Sequence, residues 1–187
     1  LRLMPRSPFV FAALFAVAVS RAASAPTASV DLFNGKDLSN WTPVVKAGEK
    51  ADPGTWTVAD GVIKCTGTPA GYIRTTGVYK NFTLTLEWRW TGPELPPDSQ
   101  GRPRNRNSGV LVYVNGPDAV WPRSIEAQLM QTNAGDLYDI GNVGFAELTA
   151  ERAKAVAAAG ADAQAVKRAQ NGRKVARKEA TSEKPVG

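Results

Sequence analysis

From Val30 to about Met130 the chain alternates short apolar or half-apolar runs with turn residues, and no stretch there repeats its apolar positions every three or four residues. That pattern predicts an all-β sandwich or barrel. The clearest strand is Phe82 to Trp90, where Phe82, Leu84, Leu86, Trp88 and Trp90 share one face and Thr83, Thr85, Glu87 and Arg89 the other. Ser108 to Asn115 predicts a second strand, with Val110, Val112 and Val114 on one side and Leu111 and Tyr113 on the other, a composition suited to cover on both faces. Ser124 to Gln131 predicts a third, with Ile125, Ala127 and Leu129 opposed to Glu126, Gln128 and Met130. Asp60-Gly61, between Thr55 to Ala59 and Val62 to Cys65, predicts a hairpin, and Asn34-Gly35 another tight turn.

Between the first two strands, Thr91 to Arg106 is rich in Pro, Gly, Arg and Asp, and is expected to be a surface loop near a site. Beyond Phe145 the character changes. Leu148 to Gln170 is Ala-rich, with Glu151 near its start, Lys167 and Arg168 near its end and Asn171-Gly172 just after, which predicts a helix with a thin apolar stripe weakened at Gly160.

The opening residues change the picture of where the protein works. Arg2 and Arg6 precede an apolar run from Phe9 to Val19, followed by Ala22, Ala23, Ser24 and Ala25, the composition of a signal peptide covering 1–25, cut after Ala23, Ser24 or Ala25. The run is shorter than the roughly 20 apolar residues a membrane-spanning helix needs, so the expectation is an exported, periplasmic or extracellular protein with no stable membrane insertion. The rest suffices for one domain, expected as a β-sandwich over 26–145 followed by the Ala-rich helix and a basic tail over 146–187.

Composition then narrows the chemistry. The chain has no histidine, which excludes Ser-His-Asp triads, Cys-His dyads and histidine-bearing zinc sites within it. Proton transfer is left to carboxylates, Lys, Tyr or Cys65, the single cysteine, which also rules out an intrachain disulfide. The net charge of +6 is uneven: Pro26 to Ala150 carries 11 basic and 13 acidic residues, whereas Glu151 to Gly187 carries 9 and 4. An exported protein meets little nucleic acid, so the basic tail reads as a solvated helix face and no nucleic-acid partner is expected.

Candidate chemistry lies on the polar strand faces. Glu87 and Arg89, and likewise Glu126 and Gln128, stand two apart, so each pair projects from one side of its strand. Two readings fit: a cluster of acid, base, cation and amide suited to sugar hydroxyls, with Trp and Tyr faces for the ring, or a solvated face whose charges pair across strands. Asn107, at the end of the loop, could present its amide to a ligand, and Gly109 could admit a close backbone approach, or the segment is simply a turn. Asp136 and Asp139 lack the ligand density of a calcium loop.

Five motifs in order carry a resemblance. Asp31-Leu32-Phe33-Asn34-Gly35-Lys36-Asp37-Leu38-Ser39-Asn40-Trp41, Trp56-Thr57-Val58-Ala59-Asp60-Gly61-Val62-Ile63, Phe82 to Arg89, Asn107-Ser108-Gly109-Val110 and Ile125-Glu126-Ala127-Gln128-Leu129 together resemble the bacterial 3-keto-disaccharide hydrolase domain family. The resemblance implies a concanavalin-like, lectin-like jelly-roll β-sandwich holding a small carbohydrate, with Glu87, Arg89, Glu126 and Gln128 in its polar pocket. It also implies that Ser182 to Gly187 precedes further strands, so the chain, which starts at Leu1 with its first methionine at Met4, is expected to be a C-terminally truncated fragment.

The chemistry implied is an elimination. A ketone at C3 of a glycosyl unit acidifies the C2 hydrogen, so a carboxylate can remove it, the C1 substituent leaves, and water adds. Glu126 is the expected base and Glu87 an acid or orienting group, with Arg89 and Gln128 stabilising the oxyanion and Asn107 at the pocket edge. No cofactor is expected; a divalent metal is the alternative enolate stabiliser, although no convincing ligand set is visible. Three other functions fit the fold: a non-catalytic carbohydrate-binding module, an ordinary hydrolase using Glu87 and Glu126, and a structural surface protein.

Overall fold

The computed structural model describes residues 29–177. The chain divides into two units, Leu1–Asp31 and Leu32–Gly187, and all named elements belong to the second. The expected signal peptide lies outside the described residues.

The first turn forms as its residues dictate. Asn34 Oδ1 accepts from the amides of Lys36 and Asp37, and Gly35 takes the left-handed conformation with φ 75°. Three antiparallel sheets follow among the described residues. β1 (Trp41–Val45) pairs with β4 (Gly71–Thr75), while β2 (Trp56–Ala59) pairs with β3 (Val62–Cys65) through the expected hairpin. Asp60 and Gly61 both have positive φ, 56° and 71°, the geometry a two-residue turn needs to match strand twist.

The third sheet has four strands in the order β5 (Gly109–Asn115), β6 (Arg123–Gln128), β7 (Leu137–Ile140) and β8 (Lys174–Val175). Register places Val112, Ile125 and Asp139 across from one another, with Leu111, Glu126 and Tyr138 in the adjacent row. Side chains alternate between faces, so the second row points away from the first. Buried Ile125, Val175 and Leu148 mark where this sheet and the helices bury apolar surface.

Several expectations need correction. The alternation of β5 stops at Val112: the register shifts before Asn115, Tyr113 has φ 55°, and Tyr113 and Val114 are exposed rather than covered. An extra residue in one strand of a pair leaves itself unpaired and turns the following side chains, as here. β6 ends at Gln128, whose Oε1 accepts from the amides of Leu129 (2.9 Å) and Met130 (2.8 Å), although Leu129 and Gln131 still donate to the Ser108 and Arg106 carbonyls.

The segment 82–90, expected as the clearest strand, is paired to no neighbour among the described residues. Phe82, Leu84, Leu86 and Trp88 are exposed. Alternation specifies which side chains share a face, but a strand also needs hydrogen bonds to a neighbour's N–H and C=O groups, and among the described residues 82–90 makes no such ladder even though β5 is the edge strand of its sheet. Phe82 is held by stacking on Tyr113 at 5.8 Å, and Trp90 by the guanidinium of Arg106, 5.5 Å from its ring centre.

The Ala-rich stretch folds as two helices rather than one: α1 (Ala146–Ala159) and α2 (Ala163–Gln170). Gly160 takes φ 56°, and Asp162 accepts from the Ala165 amide at 2.9 Å, so a helix end and a new N-cap fall within three residues. Leu148 is the buried residue of α1. Arg152 ties α1 to the sheet end, donating to Gly172 O at 2.7 Å with its guanidinium 3.7 Å from buried Asp139. No helix among the described residues is long and apolar enough to cross a membrane.

Candidate functional site

The polar row of the four-stranded sheet centres on Glu126. Leu111 lies directly across on β5 and Tyr138 directly across on β7. The next residue in the row is Lys174 of β8, opposite Tyr138. Glu126 is half-buried, and no hydrogen bond or ion pair reaches its carboxylate among the described residues. Burial alone therefore pushes its carboxyl above the ordinary range.

Gly109 makes room for this side chain. It pairs with Gln128, diagonally from Glu126, and a Cβ there would lie 2.8 Å from Glu126 Cγ and 2.9 Å from Cδ, with Oε1 closer still. The close approach expected of Gly109 is thus made by a side chain of the next strand.

Gln128 shares Glu126's face and is 6% exposed. Both bonds to its Oε1 come from backbone N–H donors, which fixes the amide's orientation and leaves Nε2 as the donor end. Asn107 is exposed, two residues before β5. Glu87 and Arg89 are exposed on the unpaired segment, and no hydrogen bond or ion pair joins either to Glu126, Gln128 or Asn107. The structure therefore groups Glu126 with Gln128 on one strand face, and joins neither Glu87 nor Arg89 to them by hydrogen bond or ion pair.

Sequence reasoning passed over Arg106. It is 7% exposed and gathers both ends of the 91–106 loop: its guanidinium donates to the carbonyls of Thr91 (3.2 Å) and Gly92 (3.1 Å), to Glu94 (3.1 Å) and to Gln131 Oε1 (3.2 Å). Its backbone amide donates to the same Gln131 oxygen at 2.8 Å. Further out, Leu95 bridges Arg104, and Asp98 accepts from the amides of Gln100 and Arg102 and from the Arg102 side chain. The loop is thus tied at its neck, one residue before Asn107.

Elsewhere, Asp136 is buried against Lys174 Nζ at 2.7 Å and the Arg177 amide at 3.0 Å, while Asp139 accepts from the amides of Val143 and Gly144. Asp136 and Asp139 Oδ1 hold chain segments, while the buried Asp139 Oδ2 has no hydrogen-bond partner among the described residues and only the Arg152 guanidinium at 3.7 Å. Among the described residues no group of three or more Cys, Asp or Glu is arranged to hold a metal ion. A cleft of about 140 Å³ between β1, β4 and the turn before β2 is lined by Leu38, Trp41, Pro43, Pro53, Trp56 and Ile73; none of the nominated site residues faces it.

Comparison with protein families decides what this arrangement belongs to. Residues 28–185 match the model of the 3-keto-alpha-glucoside-1,2-lyase-like domain. The chain belongs to this family. Its match runs through the sheets, the 82–90 segment and both helices, and so extends beyond the five motifs that first pointed to it. Membership ties the domain to 3-keto-glycosides and makes a small sugar the fitting ligand. No curated protein and no solved structure gives a match.

Proposed function

We propose that this 3-keto-alpha-glucoside-1,2-lyase-like domain cleaves 3-keto-glycosides by proton abstraction, elimination and hydration, with Glu126 as base. The observation that carries the reading is Glu126 itself, a half-buried carboxylate with no hydrogen-bond or ion-pair partner among the described residues and a raised pKa. Perturbed, unpartnered groups of this kind cluster at functional sites.

In the proposed reaction the carboxylate takes the C2 proton and the C–H pair forms the enolate. The enolate pair then expels the C1 oxygen, which takes up a proton, and water adds across C1 and C2. Gln128 Nε2 is the amide donor on the same face, Asn107 binds at the pocket edge, and Glu87 and Arg89 supply the acid and cation. The fold in this reading is a concanavalin-like jelly roll, and the protein is exported through its first 25 residues.

Side-by-side assay of a 3-keto-glycoside and its unoxidised parent tests the reaction. Cleavage of the ketone alone is expected; equal rates remove the elimination. The lack of any hydrogen bond or ion pair joining Glu87 or Arg89 to Glu126 favours one competing reading, a lectin-like module that holds a sugar without turnover. Saturable binding of the 3-keto-glycoside with no product identifies it.

A further inference from the structure

Across the four-stranded sheet the polar row runs Leu111, Glu126, Tyr138, Lys174, each directly opposite the next on neighbouring strands. Directly opposed side chains have Cβ atoms about 4.5–5.5 Å apart. On one flank the candidate base meets a hydrocarbon, and on the other a phenol backed by an ammonium group. Lys174 is fixed there: its Nζ lies 2.7 Å from Asp136 Oδ2 and 5.8 Å from the centre of the Tyr138 ring. Arg177 is the second cation at Asp136, 3.9 Å away, so the carboxylate that anchors Lys174 is itself shared.

Removing a proton from carbon creates negative charge within reach of the base, and that charge needs a donor already aimed at it. Leu111 offers none. We propose that Tyr138 is a further substrate-contacting residue, its hydroxyl donating to the enolate oxygen that Glu126 generates, with Lys174 as a positioning residue that holds the phenol and biases the site toward negative charge. This rests on the proposed elimination. The electron pair of the C2–H bond moves to the C3 oxygen and back to expel the C1 oxygen. The proton passes to Glu126, the leaving oxygen takes one from Glu87, solvent returns both carboxyls to their starting states, and Tyr138 ends the cycle with its own proton.

The test is steady-state turnover of a 3-keto-glycoside by the unsubstituted chain, Tyr138→Phe, Lys174→Met and Lys174→Arg, each checked for folding by circular dichroism. Tyr138→Phe is expected to lose at least tenfold in kcat with KM little changed, because the lost bond strengthens only in the transition state. Lys174→Met should lose kcat in the same sense, and Lys174→Arg should recover much of it. Unchanged kcat in Tyr138→Phe, or a loss confined to KM, overturns the role of Tyr138 while leaving the reaction standing. If Tyr138→Phe does not fold, the Lys174 pair decides: equal kcat in Lys174→Met and the unsubstituted chain overturns the proposal. Absence of turnover in the unsubstituted chain removes the proposed function and this inference together.

Discussion

The Glu126 carboxylate occupies the space that a side chain on Gly109, diagonally across the β5–β6 ladder, would fill. Two residues 17 positions apart therefore share one volume, and the glycine is required by packing rather than by backbone conformation. Gly109→Ala forces the Glu126 side chain to swing aside. A forced fit of this size costs about 1–3 kcal/mol, and the displaced carboxylate should lose contact with substrate. Denaturant midpoints and sugar turnover measured on the same protein are both expected to fall; an unaffected variant shows that Glu126 can relocate freely.

Glu126→Gln should keep the fold and lose about 100-fold or more in kcat, the usual contribution of a positioned general base. The pH profile carries the sign. Burial raises the carboxyl above its ordinary 4.5, so kcat/KM should climb with pH through a midpoint higher than 4.5 and level off once Glu126 is ionised. The glutamine variant should lack that limb.

How far these features could be read beforehand follows from what each depends on. The β2–β3 hairpin was legible because Asp60-Gly61 carries its turn geometry locally. The location of β5 and β6, and the pairing of Glu126 with Gln128 on one face, follow from period-two alternation. Partner choice does not. Nothing local tells that Phe82 to Trp90 lacks a ladder among the described residues, or that Glu126, Tyr138 and Lys174, drawn from three separated segments, fall in one row. Arg106 was missed for a related reason: an arginine in a polar loop gives no sign of burial until the carbonyls it gathers are placed around it.

Arg106→Ala should loosen the neck of the 91–106 loop. It leaves the Thr91 and Gly92 carbonyls and Gln131 Oε1 to find other donors and strips the cation from Trp90. Losing partners to buried polar groups costs about 1–3 kcal/mol each where water cannot replace them. A drop of about 2–3 kcal/mol in unfolding free energy is expected, with faster proteolytic cutting between Thr91 and Arg106. Arg106→Lys should recover only part, since an ammonium has three donors where the guanidinium has five in a fixed fork.

Two leucines should behave oppositely. Leu148 is 1% exposed on α1, so Leu148→Ala is expected to cost about 2–5 kcal/mol. Leu86, 45% exposed on the unpaired segment, should tolerate Lys within about 0.5 kcal/mol. Urea denaturation of the two variants compares them directly. A large loss for Leu86→Lys means that its apolar face is covered in solution.

The Asp136–Lys174 pair should shape stability at both ends of the pH scale. Burial pushes the Asp136 carboxyl up, but the hydrogen bonds from Lys174 and the Arg177 amide outweigh it and hold the group below its ordinary 3.8. The hydrogen bond to Asp136 holds Lys174 above its ordinary 10.5. In acid the unfolded chain takes up the Asp136 proton first, so this contribution is complete above the ordinary aspartate range and disappears as pH falls through the lowered value. In base the unfolded chain releases the Lys174 proton first, so that contribution is present below 10.5 and disappears as pH rises through the raised value. Lys174 is 43% exposed, and solvent screening makes its share the smaller. Asp136→Asn is therefore expected to lower the plateau of unfolding free energy near neutrality and to flatten both limbs, the acid one more. If the limbs of Asp136→Asn superimpose on those of the unsubstituted chain, the carboxylate at the β7 entrance does not hold β8 in place.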